Sequence, residues 1–597
     1  MMDAAYHHEW AKSIAQGDWL GKESFFRAPF YPYFLGIVYA ICGANLIAPR
    51  ILQVILGALS CLLIYKIGTL VFDKKVGLVA AWIAVFYPLF IYFDNELLIP
   101  TLLVFLVLSG FYLIIRQREQ NGAPKYWFST GLVWGVAAIT RPNVLAFLVF
   151  LPLWLKQQVK TRFLKIALYG ALGVLAMILP ITIRNYVVGK EFVPIAWQGG
   201  VNFYIGNNPH SDGKTAIVPG TRKSWYGGFA DAKRLAEEQA GRTLSNSEID
   251  NYWLREGMKF ILGSPSAALI LFLKKVYLYC GGYEISNNRD IYFFTRPTFL
   301  KFIFFKTSFF QFPFGVLLPL SIVGIYLALR NRKKILLMLY FIVLYSLSII
   351  VFFVTARYRM PVVPFLIILS AYGIMESINY IRKSGLQYYT TPLVIFVAAF
   401  ILFNINLTRI KDNPELNYLT LASLEFDRGN YQKTISYASK AMPLYSRDVE
   451  VLNLLGTSYL RMGKLKEAHQ YYLEMTNITP NSPEPYDRLG VVFYMSQQFD
   501  KAKACYFKAL TIDPKYAPAY LNGGHVFYIQ DSLEKALLSY ETALSLDPKL
   551  TDAFYYAALT ALKLGNVEKG KLYLQKTLQL DPQHAYARKT LNSLPRE

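Results

Sequence analysis

Residues 483–516 read PEPYDRLGVVFYMSQQFDKAKACYFKALTIDPKY, and residues 517–550 read APAYLNGGHVFYIQDSLEKALLSYETALSLDPKL. Set one under the other, they align Gly490 with Gly524, Ala502 with Ala536, Tyr506 with Tyr540 and Pro514 with Pro548. The same register runs back to Gly456, Ala468, Tyr472 and Pro480 and forward to Pro582, a fixed period of 34 residues. Such a period marks an array whose units bury their apolar faces only against their neighbours. Units fall at 449–482, 483–516, 517–550 and 551–584, after a degenerate one at about 415–448. The expected form is a curved α-solenoid with a concave face.

The pattern resembles the tetratricopeptide repeat, with small residues where paired helices touch, aromatics filling the interface and proline ending the second helix. The resemblance implies a protein or peptide partner on the concave face. A spacer or dimerisation arm stands as the plainer reading, because residues that hold a repeat together say nothing about its groove.

Upstream the chain is a different material. Overall 54% of its 597 residues are hydrophobic, only 17% are charged, and the formal charge is +23; mean hydropathy is +0.29. Residues 1–408 hold 39 Lys and Arg against 19 Asp and Glu, whereas 409–597 hold 23 against 20. A domain boundary near 408 follows. Apolar stretches of spanning length, about 20 residues, occur at 51–72, 76–93, 97–115, 166–183, 314–329, 335–354, 361–379 and 389–407. Five basic flanks, at Lys74–Lys75, Arg116–Lys125, Lys156–Lys165, Arg330–Lys334 and Arg382–Lys383, carry 15 Lys and Arg. The positive charge is therefore a topology signal, marking cytoplasmic loops, and nucleic acid is not needed to explain it. The fold class expected is all-α, a polytopic membrane domain over 1–408 followed by the solenoid over 409–597.

Parity can be followed span by span. Residues 126–155 are apolar with basic residues at both ends, interrupted by Arg141-Pro142-Asn143. Two short spans or a re-entrant hairpin broken at Pro142 keep both ends inside, giving ten spans and placing Arg141 at an outer turn. The outer face then collects residues 1–47, the Tyr92–Glu96 loop, a long loop of about 184–312, Thr355–Pro361 and the repeats. Ser24–Cys42 and Ser266–Tyr279 read as segments lying at the outer surface. No apolar segment precedes Asp3, so either an upstream helix lies before this start or the parity is inverted. Without such a helix Asp3 is expected to be poorly tethered.

Ionisable residues gather at the outer ends of the spans rather than inside them, which argues against a transporter. Asp3 could act as a general base or hold a divalent metal; Asp94 and Glu96 sit at the next outer turn. Arg357 and Arg359 place positive charge where the inside rule disfavours it, and a lipid phosphate is the natural partner for a guanidinium there. Arg27 and Arg141 are further cations of this kind. The four cysteines show neither metal-ligand spacing nor a paired framework.

In order, Asp3, Tyr6 and Ala11, Gly17-Asp18-Trp19, Arg27-Ala28-Pro29-Phe30-Tyr31-Pro32, Arg50 and Gln53, Glu96-Leu97-Leu98, Arg141-Pro142-Asn143 and Arg357-Tyr358-Arg359-Met360-Pro361 resemble the GT-C superfamily of membrane glycosyltransferases. That group includes protein O-mannosyltransferases and the lipid A aminoarabinose transferase. Gly206-Asn207-Asn208-Pro209 with Asp212-Gly213 is similar to an outer-loop pattern of bacterial members. The resemblance implies a sugar donor on a polyprenyl phosphate and transfer on the noncytoplasmic face to a protein or glycan acceptor. It maps catalytic carboxylates onto Asp3 and Glu96, and phosphate binding onto Arg357 or Arg359, with Arg141 as a further cation. Tyr6, Arg27, Asn207 and Asn208 become expected sugar or acceptor contacts. Two departures matter: protein mannosyltransferases carry Asp-Glu where this chain has Asp3-Ala4, and members have a helix before this loop. The rivals are a noncatalytic membrane anchor presenting the repeats, and an O-antigen ligase or polymerase-like enzyme. The expected setting is a bacterial inner membrane with the repeats outside it.

Overall fold

The computed structural model describes residues 3–120, 122–159, 162–221, 225–286, 290–307, 309–384, 390–407, 414–445 and 448–594. The chain divides into two compact units, Met1–Ile410 and Lys411–Glu597. The boundary expected at 408 lies outside the described residues. Apart from one antiparallel pair of two-residue strands, Phe305–Lys306 and Gln311–Phe312, the regular structure described is helical.

In the second unit each repeat is a helix pair, as in Pro483–Met495 with Phe499–Ile512 and Ala517–Ile529 with Leu533–Leu546. The aligned glycines are where the partner helix's tyrosine lies: a Cβ at Gly490 would stand 2.3 Å from the Tyr506 ring. The last unit trades these sizes, with Ala558 in the glycine position and Leu574 in the tyrosine position, both fully buried. The ring and the missing methyl are one volume shared between two residues.

In the first unit helices occupy the eight apolar stretches and both halves of 126–155, with 76–93 broken into Lys74–Val85 and Pro88–Asn95. Among the described residues, by length and composition four helices could cross a membrane, Ile47–Val71, Pro100–Glu119, Phe163–Gly189 and Val363–Lys383, or six if each of two bent helix pairs is one span. The others are shorter; Leu336–Ile350, at 15 residues, rises about 22 Å and needs its flanks to cover about 30 Å of hydrocarbon. Along Phe163–Gly189 the exposed side chains include Leu164, Leu168, Leu172, Leu175, Leu179 and Ile183. Spaced three or four apart, they form one helical face turned to an apolar surround.

The hairpin at 126–155 is decided by glycines. A Cβ on Gly131 would strike the Gly170 carbonyl at 2.1 Å, and one on Gly135 would meet Met177 at 2.8 Å. Register rises along both helices together, so Tyr126–Thr140 and Phe163–Gly189 run parallel, and Leu145–Val159 between them must run back. Arg141–Val144 is therefore a turn between two antiparallel helices.

The basic flanks gather at one end of the bundle. Phe72 stacks on Tyr372 with ring centres 4.2 Å apart, Asn331 donates to Tyr372 and Glu376 at 2.9 Å, and Lys66 and Arg116 both lie over Tyr112. Part of 184–312 packs a second core of Val193, Trp197, Val201, Ile249 and Trp253, which also takes in Phe353. Within the same stretch Asn246–Gly263 and Pro265–Cys280 meet at 108°.

Candidate active site

Asp3 opens the helix Asp3–Ala15, where the exposed amides and helix dipole favour a carboxylate. It is 3% exposed, so the loose tether expected of it is not what the structure has. Its Oδ1 meets Arg27 Nη1 at 2.8 Å and its Oδ2 meets Arg357 Nη1 at 2.5 Å, a pairing across 354 residues of sequence. Burial pushes the carboxyl up, but the charges of Arg27 and Arg357 outweigh it and hold Asp3 well below the usual carboxylate range. The group is an anion at any physiological pH.

His7, one turn on, is also buried. Burial first, then the charge of Arg27, lowers its imidazole to about 3 against the pull of Asp3. It is neutral, with a buried Nδ1 that has no hydrogen-bond partner and a ring packed edge-on to Tyr31 at 5.2 Å. The Tyr31 hydroxyl donates to Gln53 Oε1 at 2.6 Å, and Gln53 Nε2 donates to the carbonyls of Asp94 and Glu96 at 3.0 and 2.8 Å. Gln53 thus fixes the second acidic turn to the helix that backs Asp3, holding Glu96 by its backbone. Asp94 accepts from Thr101 at 2.8 Å and lies against Gly57.

Arg141, at the break between the two helices, lies with its guanidinium carbon 3.8 Å from the centre of the Tyr358 ring. Arg357 lies 4.9 Å from that centre and donates to the Tyr358 hydroxyl at 3.1 Å. Burial raises this phenol, yet Arg357 and Arg141 together bring it below its ordinary value. Arg27 faces the Tyr6 ring at 5.3 Å. Asp3, Tyr6, Arg27, Arg141 and Arg357, scattered through the sequence, are in one place.

Three expected ligand residues are used internally instead. Arg359 is 2% exposed and donates to the carbonyls of Tyr279, Gly281 and Tyr283 and to Glu284 at 2.5 Å. A guanidinium so occupied braces the segment carrying Arg357 and has no fork left for a phosphate. Asn207 donates to Phe203 and Val351 carbonyls and accepts from Lys275, and Asn208 donates to Tyr204 and Ile205 carbonyls. Lys275 Nζ also reaches the carbonyls of Gly206, Val351 and Phe352 at 3.0 to 3.2 Å. The Asn-Asn motif thereby fixes the segment leading to Arg357. Sequence reasoning gave no role to Tyr358, Gln53, Lys275 or Glu284; Lys275 was readable only as an interruption of an apolar helix.

A divalent cation does not fit here. Among the described residues no three His, Cys, Asp or Glu side chains gather for one, and both oxygens of Asp3 face guanidiniums. Two guanidiniums on one carboxylate, with Arg141 on the neighbouring Tyr358 ring, fit an anion.

Residues 27–183 match the family model of dolichyl-phosphate-mannose-protein mannosyltransferases. Residues 449–482 and 483–516 match the tetratricopeptide repeat model. The chain thus joins a region of the mannosyltransferase type to tetratricopeptide repeats. No curated protein matches it. Among solved structures it is similar to a thermophilic tetratricopeptide protein of Thermus thermophilus, at 22% identity over 30% of this chain and 97% of that one, TM-score 0.28. It is also similar to MamA, at 22% identity over 31% and 97%, TM-score 0.24, and to YrrB, described as having an unusual peptide-binding site, at 22% over 30% and 94%, TM-score 0.24. The region that matches the mannosyltransferases contains Arg27, Gln53, Glu96 and Arg141, whereas Asp3 and Arg357 lie outside it.

Proposed function

We propose that the protein is an integral-membrane glycosyltransferase that moves a sugar from a polyprenyl-phosphate donor to an acceptor hydroxyl on the noncytoplasmic face, with the repeats recruiting a protein partner on that side. The observation that carries this is Asp3, an ionised carboxylate held between Arg27 and Arg357 beside Arg141. A phosphate-linked sugar already has a good leaving group, so the protein must orient the acceptor, take its proton and steady the departing phosphate. Asp3 takes the proton. Arg357 and Arg141 receive the phosphate, Tyr6 and Arg27 border the sugar, and Glu96 stands at the second acidic turn. Arg359 and the Asn207-Asn208 pair keep this wall in register. Basic flanks at the opposite end of the bundle support an inner membrane with the site on the outer, periplasmic side.

Transfer of labelled sugar from a polyprenyl-phosphate donor by purified protein is the test. Asp3→Asn is expected to lower it by about 10²- to 10⁴-fold, the usual contribution of a general base. Undiminished transfer by that variant refutes the assignment.

A further inference from the structure

We propose that Arg357 changes partners during turnover, leaving Asp3 for the donor phosphate, so that the carboxylate becomes a free base only once the donor is in place. This deepens the reading of Asp3 as base and of Arg357 as phosphate ligand, and rests on it. In the arrangement described, each oxygen of Asp3 is held by a guanidinium, one from Arg27 and one from Arg357. A carboxylate so neutralised is a poor proton acceptor, and one of the two must let go before an acceptor hydroxyl can approach.

Geometry selects Arg357. It shares the Tyr358 ring with Arg141, whose guanidinium has no carboxylate within salt-bridge distance among the described residues. The Nε atoms of Arg141 and Arg357 are both buried without a hydrogen-bond partner. Two cations on one ring repel, and an anion between them relieves that repulsion while satisfying both orphaned donors through the planar fork that suits phosphate. Arg27 holds the other oxygen of Asp3 and continues to orient it.

The charge count supports the exchange. Two guanidiniums hold one carboxylate and a third, Arg141, lies on the neighbouring Tyr358 ring; a phosphodiester donor brings one negative charge, leaving room for the second charge that appears as the sugar departs. In that step the anomeric carbon–oxygen bond to phosphate breaks, the acceptor oxygen bonds to the anomeric carbon, and the acceptor proton passes to Asp3. The phosphate keeps the electron pair. The groups facing Asp3 that could titrate or carry charge are Arg27, Arg357, His7 and Tyr358, with Arg141 acting on Tyr358.

The exchange makes a counterintuitive demand: removing the base tightens the donor site, because Asp3 competes with phosphate for Arg357. Binding of undecaprenyl phosphate to the full-length protein in detergent is the measurement, with undecaprenol and inorganic phosphate as separate arms for chain and headgroup. Asp3→Asn is expected to bind undecaprenyl phosphate at least about tenfold more tightly than wild type, as loss of a buried ion-pair competitor allows. In an Arg357→Met background the gain is expected to vanish, which places it on this pair. Unchanged or weaker binding by Asp3→Asn overturns the exchange, as does a gain that survives Arg357→Met.

A second measurement needs no variant to fold. With donor varied, the acid limb of kcat/KM reports free protein and that of kcat reports the complex. Freed from Arg357, Asp3 loses a partner that lowers its pKa, so the kcat limb is expected at higher pH than the kcat/KM limb; coincident limbs overturn the exchange. Loss of transfer in Asp3→Asn without tighter binding sinks the exchange alone, whereas retained transfer sinks the assignment of Asp3 as base.

Discussion

The two units hold themselves together by opposite means. In the repeats, Gly490 and Tyr506 sit 16 positions apart and the same contact recurs at Gly456 and Tyr472 and at Gly524 and Tyr540. In the membrane unit, the contacts that build the site join Asp3 to Arg357 and Arg359 to Glu284, singly and across long separations. A local, repeated contact writes itself into the sequence as a period. A distant, single one leaves only two unexplained charges.

That contrast predicts where damage spreads. Arg359→Met leaves Glu284 charged and buried without its partner and is expected to destabilise the membrane unit by about 3–5 kcal/mol. Thermal unfolding of the detergent-solubilised chain, followed by hydrogen exchange in each unit, would show a loss confined to residues 1–410. If the repeats melted with it, their independence would be disproved.

Acid is the next largest perturbation. His7 is lowered to about 3 by burial and by Arg27, so between that value and about 6.5 an unfolded chain binds a proton that the folded one does not. Stability is therefore full above about 6.5 and falls as pH drops towards 3, by an amount on the order of a few kcal/mol. His7→Gln should flatten this slope in the membrane unit and leave the repeats unaffected. An unchanged slope in the variant would mean that another group titrates.

Gly490→Ala puts a methyl group into the Tyr506 ring and is expected to cost about 1–3 kcal/mol, in the repeats alone. The last unit already carries the remedy in Ala558 and Leu574, so adding Tyr506→Leu to Gly490→Ala should recover most of the loss. A double variant less stable than the single one would break the idea of a shared volume. Smallest of all, Glu484→Gln removes an exposed pair with Arg488 at 3.6 Å and should change stability by less than about 1 kcal/mol.

Legibility followed the same division. Register, unit limits and the role of each aligned residue in the repeats could be read from 34-residue spacing, because helix packing there is a function of nearby sequence. The apolar helices were legible from hydropathy, and the turn at Arg141 from charge at both ends of 126–155. That Arg27, Arg141 and Arg357 converge was suggested only by their common displacement to the outer flanks. What could not be read was how each guanidinium is spent. Arg357 and Arg359 stand two apart, yet one faces the site and the other is bound by three carbonyls and Glu284, a distinction set by which way a four-residue helix turns. Asn207 and Asn208 looked like polar groups awaiting a ligand, because nothing in the sequence marks which carbonyls they satisfy.

Lys275 gives this arrangement a mechanical property. One ammonium grips the carbonyl of Gly206 on one side and those of Val351 and Phe352 on the other, and Val354 is pinned to Gly213 at 2.9 Å. The stretch around Gly206 and Gly213 and the segment that ends in Arg357 are riveted together, so a tug on the one is delivered to the guanidinium.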